Sequence, residues 1–275
     1  MAKARSHTML NAIRRLFVRE SEPPTASIPA GERVYAVGDI HGRLDLFERM
    51  IDLIEADDAA SEPARTTVIL LGDLVDRGPD SAAVVARARA WQQVRPVRIL
   101  AGNHEEMFLK SFEDTDVLKH FLRFGGKETV LSYGVDPEAY RAADVEEVQA
   151  MMHAAVPEEE RRYIAGFEDL IAIGDYLFVH AGIRPRTSLE EQQVKDLRWI
   201  REPFLSHPEP FGAVVVHGHT ITDGPVDRGN RIGVDTGAYV SGRLTALVLE
   251  GGNRRYLEAS DAEGAQADAA RELAA

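Results

Sequence analysis

Five short polar motifs contain the residues of this chain that could bind metal ions or phosphate. They are Gly38-Asp39-Ile40-His41-Gly42, Gly72-Asp73-Leu74-Val75-Asp76-Arg77-Gly78, Gly102-Asn103-His104-Glu105, His180-Ala181-Gly182 and His217-Gly218-His219. Their Asp, Asn and His side chains offer oxygen and imidazole ligands without sulfur, which is what a pair of divalent metal ions requires. The motifs therefore predict a dinuclear metal site.

Each motif follows a strand-like run of residues. These runs are 34–37, 67–71, 97–101, 177–179 and 214–216. Open sheets gather their ligands at the carboxyl ends of the strands. We therefore expect five segments that are far apart in the sequence to place their polar side chains around one point.

The residue types also indicate how a phosphoryl group would be treated. Asp39 and His41 lie two positions apart and share a face in an extended segment, and the Asp73 carboxylate is able to bridge two ions. Two metal ions about 3.5–4 Å apart clamp a phosphoryl group and lower the pKa of a bridging water, and the resulting hydroxide attacks phosphorus in line. Arg77 could hold phosphoryl oxygens through its rigid donor fork.

His104 is a candidate general acid, because it follows Asn103 directly and could protonate the leaving oxygen. Asp76 could orient the imidazole and stabilise its protonated form.

The order of elements predicts one α/β domain. The motifs spread from residue 38 to residue 219 of a 275-residue chain, so that one site needs most of the sequence. Strands alternate with helices up to residue 101, which is typical of parallel pairing. Two apolar runs joined by Gly174 and Asp175 predict a hairpin, and the strand-like runs 231–234, 244–249 and 254–257 follow it. Two mixed sheets packed face to face, with helices on both outer faces, are therefore expected.

The flanking and inserted segments are predicted from composition. They are a basic N-terminal segment with a Pro-rich linker (1–31), the main domain (32–257), a helical insert within it (about 107–165) and an acidic, Ala-rich, disordered tail (258–275). Residues 1–20 combine basic and apolar side chains at near-helical spacing. They could form an amphipathic helix with weak contact to a membrane or partner, or a short helix docked on its own domain.

Composition excludes several classes of function. The net charge of −13 argues against a broad nucleic-acid-binding surface, although bound metal ions would still allow an anionic substrate. The absence of cysteine rules out thiolate catalysis, disulfides and Cys-rich zinc sites. No apolar run approaches the roughly 20 residues of a membrane span, and we expect a cytoplasmic protein.

The motifs, in this order, resemble the phosphoprotein phosphatase family within the calcineurin-like metallophosphoesterases over roughly residues 33–250. The bacteriophage lambda protein phosphatase type is the closest group, because Trp199-Ile200-Arg201-Glu202 is similar to its W-x-R-E segment. We therefore expect a bacterial enzyme with two metal ions. The resemblance implies metal ligands Asp39, His41, Asp73, Asn103, His180 and His219, phosphate contacts from Arg77, Arg201 and Asn103, and an acid dyad of His104 with Asp76.

The sequence does not decide between several substrates and metal ions. The implied reaction is hydrolysis of phosphomonoesters, including phosphoproteins phosphorylated on Ser, Thr or Tyr. The eukaryotic S-A-P-N-Y-C segment is absent, however, and a related bacterial branch hydrolyses symmetrical dinucleoside tetraphosphates with the same ligands. A non-catalytic phosphate-binding scaffold is the alternative of another class, against which the intact ligand set argues. Mn²⁺ is the favoured ion, with Fe or Zn²⁺ as alternatives.

Residues outside these roles carry weaker expectations. His217 is expected to be a core histidine or a partner of a metal ligand, and His120 a surface residue without a role. Asp235 could hydrogen-bond a ligand histidine. Phe124 could line a substrate pocket, although packing within the insert is the simpler expectation.

Overall fold

Two β-sheets form the centre of the molecule. The structure is a computed structural model and describes residues 26–261. Within this range the strands are β1 (Glu32–Val37), β2 (Arg65–Leu70), β3 (Val97–Ile99), β4 (Leu170–Ile173), β5 (Tyr176–Val179), β6 (Val214–His217), β7 (Val226–Asp227), β8 (Arg231–Gly233), β9 (Arg243–Glu250) and β10 (Asn253–Ser260). The helices are α1 (Leu44–Ala60), α2 (Ser81–Gln92), α3 (Asn103–Lys110), α4 (Thr115–Phe121), α5 (Lys127–Ser132), α6 (Pro137–Ala142), α7 (Val145–Ala155), α8 (Glu158–Ala165), α9 (Val194–Trp199) and α10 (Ala238–Ser241).

Both sheets are mixed, as predicted. The first has the order β10-β9-β1-β2-β3, in which β1, β2 and β3 are parallel and β9 runs antiparallel to β1 and β10. The second has the order β4-β5-β6-β8-β7, in which β5, β6 and β8 are parallel. The short link of Gly174 and Asp175 joins β4 and β5 as the expected hairpin.

The sheets pack face to face because alternate residues of each strand point to opposite faces. In β1, Val34 and Ala36 join the core between the sheets, where they meet Phe178 and Val216 of the second sheet. Tyr35, between them, points instead into the core beneath the helices. The predicted sandwich with outer helices is therefore confirmed.

The two outer layers differ in thickness. Helices α1 and α2 and the helices between β3 and β4 bury a large apolar cluster against the first sheet. The outer face of the second sheet is covered more thinly, by α9 and the loop residues Ile183, Ile200 and Phe204. Helical structure fills the predicted insert, but it begins at Asn103, so that the third motif itself starts α3.

Two predicted boundaries are wrong. The predicted tail begins inside β10, because Glu258 to Ser260 pair with β9 and Ala259 is buried. Part of the predicted linker also belongs to the fold, since Ile28 is buried between the sheets and its amide donates to the Gly251 carbonyl. The N-terminal contact predicted for residues 1–20 and the rest of the tail lie outside the described residues. Between residues 26 and 261, no helix combines the length and apolar character that crossing a membrane requires.

Candidate active site

All six predicted metal ligands come together at the carboxyl ends of five strands. Asp39, Asp73 and Asn103 follow β1, β2 and β3, and His180 and His219 follow β5 and β6. A pocket of about 230 Å³ opens between the two sheets at this edge. It is lined by Asp39, His41, Asp73, Arg77, Asn103, His104, Met107, His120, Phe124, Trp199, Arg201, His219 and Asp235.

The histidines are oriented for metal binding by the backbone. His41 Nδ1 lies 2.8 Å from the carbonyl oxygen of Val75, and His180 Nδ1 lies 2.8 Å from that of Leu71. Each Nδ1 therefore carries the proton, which leaves the Nε2 lone pair free for a ligand. The Nε2 atom of His219 is buried and has no hydrogen-bond partner among residues 26–261. These three nitrogens fit a metal site.

Asp73 lies at the centre of two groups of donor atoms. One consists of His41, Asp73 and His104 and the other of Asp73, His180 and His219, with the donor atoms of each within 4.8 Å of one another. The Nε2 atoms of His41 and His180 lie 3.6 Å and 3.4 Å from Asp73 Oδ2. This carboxylate is therefore placed to bridge two divalent ions.

The buried negative charge also fits divalent cations. Burial, together with repulsion from Asp235 and Asp73, raises the pKa of Asp39 well above its ordinary value. The Asp39 carboxylate accepts hydrogen bonds of 3.2 Å and 3.0 Å from the backbone N–H of His219. Cations held between these carboxylates would relieve the repulsion.

Two glycines are required by close approach of the ligands. A Cβ atom on Gly102 would lie 2.1 Å from Asp73 Oδ1, and one on Gly218 would lie 2.1 Å from Asp39 Oδ1. Any larger residue would therefore displace a ligand carboxylate. This explains the glycines within the third and fifth motifs.

The backbone of the site is strained. Six non-glycine residues in the described range have a positive φ, and five of them belong to the motifs. These five are His41, Asp73, Asp76, Arg77 and His219. A residue held in this left-handed region costs of order 1–3 kcal/mol and typically marks a functional site.

Comparison with known sequences identifies the family. The sequence pattern of the family described as calcineurin-like phosphoesterase matches residues 32–244, which include every motif described above. This chain belongs to the calcineurin-like phosphoesterase family. The broader part of the predicted resemblance is thereby confirmed, and the family accounts for a site with oxygen and imidazole ligands for divalent metal ions.

Similar proteins carry a narrower name than the family. A protein of Acidovorax sp. (strain JS42) named symmetrical bis(5'-nucleosyl)-tetraphosphatase is 34% identical over 159 residues, which cover 58% of this chain and 47% of that protein. A protein of the same name from Nitrosospira multiformis is 26% identical, covering 79% of this chain and 92% of its own length. The crystal structure of a candidate diadenosine tetraphosphatase has a TM-score of 0.59 at 20% identity, covering 86% and 99% of the two chains. These names differ from the phosphoprotein phosphatase group that the motifs predicted.

In this phosphoesterase, His104 and Asp76 form a buried pair. His104 Nδ1 lies 2.6 Å from Asp76 Oδ2. Burial opposes protonation of His104, but the charge of Asp73 and the hydrogen bond to Asp76 raise its pKa overall. The Thr129 hydroxyl donates to the other oxygen of Asp76, Oδ1, at 2.6 Å and fixes the orientation of this carboxylate. The geometry suits a proton donor.

The phosphoesterase places both predicted phosphate-binding arginines at the pocket. An Arg77 Nη2 lies 3.1 Å from His104 Nε2, and the guanidinium lies 4.5 Å above the ring of Tyr239. The same ring packs edge-on against His41 at 5.3 Å. Arg201 is exposed and its Nη2 donates to the His219 carbonyl at 3.4 Å. Tyr239 is a pocket neighbour that the sequence did not point to.

The weaker expectations have mixed outcomes. His217 is a core histidine, buried with its ring 5.1 Å from that of Phe204. Asp235 lines the pocket, but its Oδ1 accepts from the Gly237 N–H at 2.8 Å rather than from a ligand histidine. Phe124 is 45% exposed and lines the pocket, so the expectation of packing within the insert is wrong. His120 is exposed, as predicted, but it also lines the pocket.

Glu105 is a second residue whose role the sequence did not show. Its buried carboxylate accepts hydrogen bonds from the backbone N–H groups of Asp73 (2.9 Å), Leu74 (2.7 Å), Val75 (3.3 Å) and Gly102 (2.8 Å). It therefore fixes the loops that carry the second and third motifs relative to each other.

Glu105→Gln is predicted to loosen this arrangement. The amide nitrogen of glutamine cannot accept a hydrogen bond, so at least one buried N–H loses its partner, at a cost of about 1–3 kcal/mol. Urea unfolding and titration of metal ions into the protein should show lower stability together with weaker metal binding. Glu113→Gln, the same change on an exposed side chain of the insert, is the matched control. Equal stability of the Glu105→Gln protein and the control would contradict the role assigned to Glu105.

Proposed function

We propose that this chain hydrolyses dinucleoside tetraphosphates symmetrically and releases two nucleoside diphosphates. Its family supports phosphoester hydrolysis at a metal site. The choice of substrate is supported by the similar proteins that carry this name, one of which aligns over 92% of its own length. The observation that carries the reaction class is that five of the six oxygen and nitrogen ligands line one pocket with two arginines, while the sixth, His180, lies directly behind them, 3.0 Å from Asn103 Oδ1.

The chain's own residues supply binding and proton transfer. Asp39, His41 and Asp73 would hold one ion, and Asp73, Asn103, His180 and His219 would hold the other. Bound divalent ions, Mn²⁺ foremost, supply charge neutralisation and an acidified water.

Arg77 and Arg201 hold phosphoryl oxygens through charge-assisted hydrogen bonds. Asn103 adds an amide contact to the same phosphoryl group. His104 donates its proton to the departing oxygen, and Asp76 keeps the imidazole in the orientation that this transfer needs.

Phosphomonoester hydrolysis, including phosphoproteins, is the second candidate. Its support is the Trp199-Ile200-Arg201-Glu202 segment, which places Arg201 at the pocket. The same ligand set serves both reactions, so substrate competition decides between them.

The direct test is hydrolysis of diadenosine tetraphosphate beside p-nitrophenyl phosphate and a phosphopeptide, with Mn²⁺, Fe²⁺ or Zn²⁺ restored to the stripped protein. We expect ADP as the sole nucleotide product, and a higher kcat/KM for the dinucleotide. AMP with ATP would indicate asymmetric cleavage, and turnover of the phosphopeptide alone would favour the second candidate. A folded, metal-loaded protein that hydrolyses none of the three would favour a non-catalytic scaffold.

Arg201→Ala is predicted to lower kcat/KM for diadenosine tetraphosphate. Loss of a hydrogen bond from a charged group to phosphate costs about 1.5–3 kcal/mol, so kcat/KM should fall roughly 10- to 100-fold. Arg186→Ala is the matched control, since Arg186 is 77% exposed and pairs with Glu209. A kcat/KM for Arg201→Ala equal to that of the control would remove Arg201 from the phosphate site.

A further inference from the structure

A second groove adjoins the active-site pocket on the insert side. It has a volume of about 360 Å³, within the range of roughly 300–1,000 Å³ for small-molecule sites. Its lining residues are Glu106, Met107, Lys110, Asp116, Val117, His120 and Trp199. Three of these, Met107, His120 and Trp199, also line the active-site pocket. The two cavities therefore adjoin each other along these side chains, and a molecule with its phosphates among the metal ligands could reach into the groove.

The indole of Trp199 is held in place at the junction of the two cavities. Its Nε1 donates to Glu106 Oε2 at 3.2 Å, and the same oxygen accepts from Arg198 at 3.4 Å. Lys110 pairs with the other carboxylate oxygen of Glu106. Burial opposes ionisation of Glu106, but the hydrogen bonds from Lys110 and Trp199 lower its pKa overall. A charged Glu106 thus fixes one edge of an aromatic side chain that no catalytic role requires.

Two further aromatic side chains line the active-site pocket beside the groove. The rings of His120 and Phe124 lie 4.4 Å apart, and Phe124 is 45% exposed. Met107, which both cavities share, adds a polarisable side chain that packs well against flat rings. Aromatic and thioether side chains beside a phosphate site are suited to stacking a heterocyclic base.

We propose that this groove binds one nucleobase of the dinucleoside tetraphosphate. The inference rests on the proposed function and extends it by naming the subsite. The base stacks against Trp199. At the rim, the exposed carboxylate of Asp116, whose Oδ1 accepts from Lys119 at 2.9 Å, offers its second oxygen as an acceptor for an exocyclic amino group. The ammonium of Lys110 lies at the same rim and is compatible with the anionic chain of the substrate. A side chain of a peptide substrate is the alternative occupant of the groove.

Tryptophan fluorescence tests the groove without turnover. The chain has two tryptophans, and the other one, Trp91, is 2% exposed, with its Nε1 donating to the surface residue Glu55. ADP added to the Mn²⁺-loaded protein should therefore quench Trp199 saturably, whereas ribose 5-phosphate, which lacks a base, should not. Trp199→Phe should abolish the quenching and keep the Trp91 emission of the folded protein. Equal quenching by ADP and ribose 5-phosphate would overturn the proposal.

Val117→Asp tests the same groove through substrate preference. Val117 lines the groove and not the active-site pocket. A carboxylate in its place would keep bound water where the flat face of a base should pack, and would repel the phosphates. The ratio of kcat/KM for diadenosine tetraphosphate over p-nitrophenyl phosphate should fall roughly tenfold, as expected for lost stacking of one base. Val94→Asp, at a side chain that is 81% exposed, is the matched control and should leave the ratio at its wild-type value.

The outcomes separate the two proposals. The wild-type protein could fail to hydrolyse diadenosine tetraphosphate while ADP, but not ribose 5-phosphate, quenches Trp199. This result would overturn the proposed reaction and support base binding in the groove. Hydrolysis with an unchanged ratio in Val117→Asp would support the reaction and overturn the groove. A loss of phosphopeptide turnover in Val117→Asp, without a change for the dinucleotide, would assign the groove to a peptide.

Discussion

Replacing Asp73 with Asn is expected to remove nearly all phosphoesterase activity. Within residues 26–261, Asp73 is the one side chain that both groups of donor atoms share. Asparagine keeps the shape but loses the charge, and its amide nitrogen cannot bind a cation. Loss of a side chain that hydrogen-bonds a metal ligand typically lowers metal affinity or activity 10–100-fold. Loss of a ligand that both ions share should have a larger effect, and we expect kcat/KM to fall about 10³-fold.

Metal content measured beside activity tests the reason for this loss. The Asp73→Asn protein should bind fewer divalent ions per chain than the wild type, at equal fold content by circular dichroism. Asp52→Asn is the matched control, because Asp52 is an exposed residue of α1. A variant of Asp73 that retained both ions and more than a tenth of the activity would show that this carboxylate does not bridge the metals.

The convergence of the ligands could be predicted from sequence because each motif is local. A β-branched run followed at once by Gly and Asp, or by His, indicates both the strand and the end at which its polar residues lie. Parallel strands then bring these ends together. Asp39, Asp73 and His180 needed no further information to be placed at one edge.

The partners of the closing strands could not be predicted in the same way. Alternating apolar residues show that a strand forms, but not which sheet it joins. The runs that became β8 and β9 follow each other in the chain, yet β8 pairs with β6 in the second sheet and β9 pairs with β1 in the first. Composition also misplaced the end of β10, where acidic and alanine residues pair with β9.

The supporting residues were missed for a related reason. Glu105 acts on backbone N–H groups of the second motif, 30–32 positions earlier in the chain, and a carboxylate that binds backbone leaves no pattern in the sequence. Tyr239 contacts His41 and Arg77, which lie far earlier in the chain, and only the folded structure brings these three side chains together. The groove at Trp199 depends on three separate helices and is likewise a product of tertiary structure.

His104→Asn is expected to lower kcat by roughly 10²–10⁴-fold, which is the usual contribution of a general acid. The loss should depend on the leaving group. Phenyl phosphate releases a more basic oxygen than p-nitrophenyl phosphate and therefore needs the proton more. Initial rates with both substrates should show a larger loss for phenyl phosphate.

The control for this prediction is metal binding, because His104 also lies within one of the two groups of metal-binding donors. If His104 were a ligand instead of an acid, the variant would lose metal and both substrates would slow by the same factor. His104 Nδ1 lies 2.6 Å from Asp76 Oδ2, and its Nε2 lies 4.0 Å from Asp73 Oδ2. This geometry favours a role for His104 as general acid. Asp76→Asn should therefore cause a smaller loss with the same leaving-group dependence. The double variant should be no slower than His104→Asn alone, since residues that act as a unit are not additive.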